Sequence, residues 1–143
     1  MLAGIVFAAM TMWLVASQGM PVKIPLMAIA SIVQGEHALG SGSASPVLGA
    51  VLHMMLSAVF GALLSLLLHR LRFRTDAGAI AVGAGYGLVL YVVNFVALGN
   101  ALFAVFTRLN QPFQVLNHLM FGIIVAWTLV VRRSREDGPQ ARV

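Results

Sequence analysis

Four apolar runs, none of which contains Asp, Glu, Lys or Arg, constrain this chain more than any other feature. They cover residues 1–20, 46–68, 77–100 and 112–131. A helix rises 1.5 Å per residue, so about twenty apolar residues cross the ~30 Å hydrocarbon core of a bilayer. The sequence therefore predicts an all-α integral membrane protein, folded as a bundle of four transmembrane helices.

The composition excludes a soluble domain. Only 9% of the residues are charged and 60% are hydrophobic, and the mean hydropathy is +0.94. A soluble domain uses about 25% charged residues to cover its surface. We therefore expect residues 1–143 to form a single transmembrane domain. Because no Lys or Arg precedes the first run, we interpret that run as a span rather than a signal peptide.

The basic residues predict the orientation of the spans. Positive residues beside spans collect on the cytoplasmic side of a membrane. Both termini, the 70–76 loop and a tail of residues 132–143 should therefore be cytoplasmic, at a plasma membrane. This placement accounts for most of the net charge of +5, so we expect no nucleic-acid partner. Seven of the nine basic residues follow the second and fourth runs: Arg70, Arg72, Arg74, Arg132, Arg133, Arg135 and Arg142.

The segment between the first two runs predicts a short helix. Pro21 and Pro25 end the first run, because proline cannot continue a helix. The stretch "LMAIASIVQ", residues 26–34, is too short to cross a bilayer. We expect it to form an interfacial helix after the first span, joined to the second span by the flexible stretch "GSGSAS".

Small residues recur every four positions in three of the runs. In lipid this spacing lets helix backbones approach closely, which stabilises helix association. The pattern predicts tight packing but no particular activity. The series are Gly83-xxx-Gly87, Ser57-xxx-Gly61-xxx-Ser65 and Gly122-xxx-Ala126.

Polar side chains in the same three runs predict a shared layer in the outer half of the membrane. His53 lies ~10 Å below the outer start of its run, while Asn94 and His118 each lie ~9 Å below the outer ends of theirs. Gln114 shares a face with His118, and Asn117 points away from that face. The full set of candidates is His53, Ser57, Asn94, Gln114, Asn117 and His118.

Two interpretations of this polar layer remain open. In the first, its side chains hydrogen-bond one another and hold the helices in register, at about 0.6 and up to ~2 kcal/mol per bond. In the second, His53 and His118 bind haem or copper, since neutral imidazole is the commonest protein metal ligand. Met54, Met55 and Met120 lie nearby in the sequence, and thioethers would favour Cu(I).

Other activities are less favoured by the residues. A coupled carrier usually needs a buried carboxylate, whereas all four acidic residues lie in predicted loops or the tail. The chain has no cysteine, which excludes disulfides and thiol chemistry. A Ser–His–acid set cannot be assembled on one side of the membrane, so we expect no enzymatic activity from the chain on its own. A small oligomeric channel or carrier remains an alternative.

The leading hypothesis is a non-enzymatic accessory or scaffold component of a membrane. It would contact membrane lipid, and it would pack its Gly-rich and aromatic faces against a larger membrane protein or a second copy of the chain. The aromatic residues of those faces are Tyr86, Phe95, Phe103 and Phe106.

Three stretches carry a resemblance to a known group of proteins. They are the "MP…P" break after the first run, "HMMLSAVFGALLS" in the second run and "GAGYGLVLYVVN" in the third. With these features the chain resembles small multi-pass bacterial inner-membrane proteins of the YagU-like kind. The resemblance implies four helices in a bacterial plasma membrane, and it carries over no catalytic residue.

Overall fold

A computed structural model describes residues 1–71, 73 and 75–136 of the chain, with side chains through residue 134. All regular secondary structure in these ranges is helical, as predicted. Residues 72 and 74 of the predicted loop, and 137–143 of the predicted tail, lie outside the described residues. In chain order the elements are α1 (Leu2–Ser17), α2 (Ile24–Gln34), α3 (Glu36–Gly40), α4 (Pro46–Leu71), α5 (Asp76–Tyr91), a π-helical segment (Val92–Ala97), α6 (Leu98–Ala101), α7 (Ala104–Thr107) and α8 (Gln111–Glu136).

Three helices are long and apolar enough to cross a membrane. They cover Pro46–Leu71, Asp76–Ala101 and Gln111–Ser134, where the second consists of α5, the π-helical segment and α6. The prediction of a membrane-embedded helical protein is thus confirmed. Four spans are not confirmed, because α1 has 16 residues and extends only ~24 Å at 1.5 Å per residue.

The position of α1 also differs from that of a complete span. Near its start, Gly4 packs so closely on α4 that a methyl group there would come within 2.5 Å of Ser57 Oγ. Further along, Thr11 accepts a hydrogen bond from Asn117 Nδ2 of α8 at 2.9 Å. Ser57 lies near the middle of α4, so α1 flanks α4 and α8 over about half of their length.

The tightest contact in the fold is between α5 and α8, which run antiparallel. Gly83, Gly87 and Gly122 are buried there, and we call these residues the glycine interface. A methyl group at Gly83 would come within 2.7 Å of Ala126 Cβ, and one at Gly87 would collide with the His118 carbonyl. Two of the three predicted small-residue series are thus confirmed.

The third series, Ser57-xxx-Gly61-xxx-Ser65, does not form a close helix contact along its length. A methyl group at Gly61 would meet only Val125 Cγ2, at 4.0 Å. Ser57 packs on α1 instead of taking part in a continuous contact with Gly61. The spacing alone therefore predicted one contact too many, because it does not specify which helix face meets a neighbour.

The two ends of the bundle differ in character. At the arginine-rich end, the last turns of α4 and α8 carry the exposed Arg70, Arg132 and Arg133. They lie next to a core that includes Leu64 and Ala126. Slightly deeper in the bundle, the Tyr86 hydroxyl of α5 donates to the Phe60 carbonyl of α4 at 2.9 Å.

The opposite end, which we call the loop-rich end, consists of residues 18–45 and 102–110. The predicted short helix is confirmed as α2, whose Leu26 carbonyl packs directly on Gly49 of α4. The Ser45 N–H donates to Gln34 Oε1 at 2.8 Å. The Val105 N–H donates to Glu36 Oε1 at 3.0 Å, so the two loop segments are joined to each other.

Candidate functional site

A cavity of about 280 Å³ lies toward the loop-rich end of the bundle. We call it the histidine cavity because His53 and His118 both line it. Six of the eight phenylalanines in the chain line it. The structure thus brings together four of the six sequence-predicted residues, and these are His53, Ser57, Asn94 and His118.

His53 is held by α1. Its Nε2 lies 2.8 Å from the Gly4 carbonyl oxygen. A carbonyl can only accept a hydrogen bond, so Nε2 carries the proton in the neutral ring and Nδ1 is left as an acceptor. The absence of a side chain at Gly4 lets α1 approach α4 closely enough for this bond.

His118 is fixed within its own helix. Its Nδ1 lies 2.7 Å from the Gln114 carbonyl oxygen, one turn earlier. By the same reasoning Nδ1 donates and Nε2 is the free acceptor in the neutral ring. The two histidines therefore bond to main-chain carbonyls, whereas the first interpretation of the polar layer has the side chains bonded to one another.

Aromatic rings surround the His118 imidazole. The ring centroids of Phe7, Phe95 and Tyr91 lie 5.0, 5.2 and 6.0 Å from it, all with edge-on geometry. Phe7 also lies 5.6 Å from the His53 ring, so a single side chain of α1 contacts both imidazoles. Sequence reasoning missed Phe7, since nothing in an evenly apolar run marks one residue of it.

Asn94 and Phe95 belong to the π-helical segment, Val92–Ala97. A π-helical turn contains more residues than an α-helical turn and often occurs at functional sites. Both residues line the histidine cavity. The segment therefore changes the direction of the two side chains relative to a continuous α-helix.

Asn117 lies outside the cavity and connects α8 to α1. Its side chain is 1% exposed, and its Nδ2 donates to Thr11 Oγ1 at 2.9 Å. Its Oδ1 has no hydrogen-bond partner within the described part of the chain. A buried amide with one unsatisfied oxygen is costly, so this residue is a strained part of the packing.

A second cavity of about 330 Å³ lies between α1, α2 and the start of α8. We call it the Arg108 cavity. Gln114, the remaining predicted residue, lines it together with Gln18, Arg108 and Asn110. Within the described ranges no Asp or Glu lines either cavity.

Two predicted features are placed differently by the structure. None of Met54, Met55 and Met120 is among the described residues that line the histidine cavity. Through residue 134, apart from 72 and 74, no group of three or more His, Cys, Asp or Glu is arranged to hold a metal ion. Any metal there would rely on the two imidazoles and on ligands from outside the chain.

The aromatic faces assigned to a partner are used within the chain. Phe95, Phe103 and Phe106 line the histidine cavity, and Tyr86 bonds to Phe60. The Gly-rich face of α5 is covered by α8. These side chains therefore contribute to packing within the chain, although Tyr86, Phe95 and Phe103 are only half-buried.

Comparison with models of known protein families, with curated proteins and with solved structures finds no match. The resemblance to YagU-like proteins therefore stays a prediction.

Proposed function

We propose that this protein is a non-enzymatic membrane protein that binds a small, mostly apolar molecule in the histidine cavity. The observation that carries the proposal is the convergence of His53, Ser57, Asn94 and His118 inside an aromatic wall. Apolar cavities with a few convergent polar groups are typical ligand sites.

The lining favours binding over catalysis. Each neutral imidazole keeps one nitrogen that accepts a hydrogen bond, and Asn94 can both donate and accept. A ligand with a hydroxyl or another hydrogen-bonding group on an apolar body matches this set. A nucleophilic serine is activated by a histidine base that a carboxylate holds in orientation. No Asp or Glu among the described residues lines the cavity, so Ser57 is not part of such a set.

Binding of a neutral fluorescent alkyl alcohol by the protein in lipid discs tests the proposal. We expect His53→Phe and His118→Phe each to weaken binding about tenfold, as loss of a buried hydrogen bond worth ~1.4 kcal/mol would do. His69→Phe is the matched control, because His69 is an exposed histidine of α4 and does not line the cavity. Equal binding by all four proteins would refute the proposed site.

A bound metal or haem is the second candidate, and the fixed ring tautomers favour it. Metal-ligating histidines commonly donate their other ring N–H to a carbonyl, as His53 and His118 do here. The cavity of about 280 Å³ favours a copper ion over the broad ring of haem. An absorption spectrum and metal analysis decide this: stoichiometric copper or a Soret band should disappear in His53→Ala and His118→Ala.

We also propose an orientation in a bacterial plasma membrane. The arginine-rich end is cytoplasmic by the distribution of basic residues, which places the end of α8 there. Helix α1 enters the membrane from the loop-rich end, and its first residues lie beside the middle of α4, so the cytoplasmic N-terminus that the sequence predicts requires α1 to shift along α4. Reporters fused after residue 74 and within residues 41–43 should read as cytoplasmic and external, respectively. The reverse readings would overturn the orientation.

Association with a larger membrane protein or a second copy remains part of the proposal. Because the predicted aromatic side chains pack within the chain, such a partner would use other apolar side chains. Trp13 of α1 and Trp127 of α8 are 67% and 52% exposed. Photo-crosslinkers placed at these two positions should capture the partner, whereas one at Phe106, which is buried, should capture none.

A further inference from the structure

The histidine cavity and the Arg108 cavity are neighbours. Five residues line both of them: Phe7, Ile29, His53, Phe95 and Phe106. The Arg108 cavity reaches the loop-rich end, while the histidine cavity extends to Phe60 and Phe121 near the middle of the bundle. Together they form a mostly apolar path, whose polar side chains lie at the loop-rich end. We call that end the polar end and the end near Phe60 and Phe121 the apolar end.

The polar end favours an anion. Arg108 is the only Lys, Arg, Asp or Glu among the described residues that line either cavity. Gln18, Asn110 and Gln114 line the same region, and their amide groups supply further N–H donors. A guanidinium with neighbouring amides suits a carboxylate or a phosphate, since hydrogen bonds to charged groups are about twice as strong as neutral ones.

The apolar end suits one lipid chain. Phe121 is ten residues after Gln111 in α8, which corresponds to ~15 Å along the helix. This depth is half of the ~30 Å hydrocarbon core, the length that a chain in one leaflet occupies. Each volume, about 280 and 330 Å³, is close to the lower limit of the ~300–1,000 Å³ typical of ligand sites, which favours a single chain.

We propose that the two cavities together bind a single-chain anionic amphiphile, with its carboxylate or phosphate at Arg108 and its chain between His53 and His118. This inference rests on the proposed function, which supplies the apolar half of the site. It adds that the ligand is anionic, that it has one alkyl chain, and that its head group lies at the loop-rich end. Phe7 lies at the junction, where it contacts both imidazoles, so the chain must pass beside its ring.

Dodecyl phosphate and dodecanol are the probes that separate the two claims, each competing against a fluorescent alkyl probe in discs of phosphatidylcholine. We expect wild-type protein to prefer the phosphate about tenfold, the size of one charge-assisted hydrogen bond. Arg108→Gln should remove this preference and leave dodecanol binding unchanged. Lys23→Gln is the matched control, because Lys23 is exposed at the same end and lines neither cavity.

Each result bears on the inference. Equal binding of the two probes by wild-type protein, or an equal loss in Lys23→Gln, would overturn the anionic ligand and leave the proposed apolar site intact. Failure of both probes to bind would overturn the inference and the proposed function together. A phosphate preference that disappears only in Arg108→Gln, with weaker binding of both probes in His118→Phe, would support both.

Discussion

The glycine interface and the histidine cavity are adjacent, and α8 contributes to both. It packs tightly on α5 at the interface, whereas it borders open space at the cavity. At the interface, Gly83, Gly87 and Gly122 leave no space for a single methyl group. Beside it, the cavity keeps about 280 Å³ open. His118 takes part in both: its carbonyl packs on Gly87, while its imidazole lines the cavity.

This difference explains how a small bundle can hold a site. In lipid the attraction between helices comes largely from close packing, so space in one region must be compensated by tight contact in another. Here the glycines fix the backbone of α8, and the fixed backbone positions the imidazole. The following predictions test whether stability and binding are separated in this way.

The largest effect should come from one added methyl group at the glycine interface. Gly87→Ala should lower the free energy of unfolding by about 2–4 kcal/mol, because the new Cβ collides with the His118 carbonyl and the helices must separate. Gly85→Ala is the control, since that glycine of the same helix has nothing within 4 Å; it should stabilise by up to ~1 kcal/mol. Equal unfolding free energies in detergent would refute the comparison.

A smaller loss of stability and a larger change of binding are expected at Phe7. Phe7→Ala should cost about 2 kcal/mol, below the ~3–5 kcal/mol of fully buried phenylalanines, because Phe7 is half-buried. It should also widen the junction between the two cavities, so that probes with bulkier chains bind. Phe113→Ala, which alters a half-buried ring outside both cavities, should leave the range of bound probes unchanged. An unchanged range in Phe7→Ala would contradict this assignment.

The hydrogen bond between α1 and α8 should contribute less. A double-mutant cycle with Thr11→Val and Asn117→Leu should give a coupling of about 0.6 and at most ~1.7 kcal/mol, the range for such bonds in membranes. Unfolding in detergent of the four proteins measures it. A coupling near zero would mean that the contact at 2.9 Å adds nothing to the attachment of α1.

The smallest effect is expected at Gly61. Gly61→Ala should be neutral or stabilising by up to ~1 kcal/mol, because the nearest atom to the new methyl group is 4.0 Å away. Gly83→Ala, the same change at the glycine interface, should destabilise. If both lowered the melting temperature equally, the third small-residue series would be a contact after all.

The long helices could be predicted from the sequence because hydropathy over a window depends only on composition. The same property explains why the fourth span predicted at α1 is not confirmed. Its residues are as apolar as those of a span, but a window does not show how far the helix extends along its neighbours. The contact of Gly4 with the middle of α4 depends on the whole assembly.

The candidate site was predictable only in part. Helical periodicity placed His53, Ser57 and His118 on suitable faces, because α4 and α8 are regular there. It could not anticipate the π-helical segment at Asn94, since nothing in "VVNFVA" signals one. Arg108 was not among the predicted site residues, because its place in the lining of a cavity depends on a fold that brings a loop beside α1 and α2.

The bond between Thr11 and Asn117 also has a consequence for biosynthesis. The two residues are 106 positions apart, so at 5–20 residues per second α1 waits about 5–20 s for its partner. In the folded chain the Thr11 hydroxyl donates to the Phe7 carbonyl of its own helix, at 3.0 Å. This bond is local to α1, so it can form before α8 is synthesised, and it leaves a lone pair of the Thr11 oxygen to accept from the amide of Asn117.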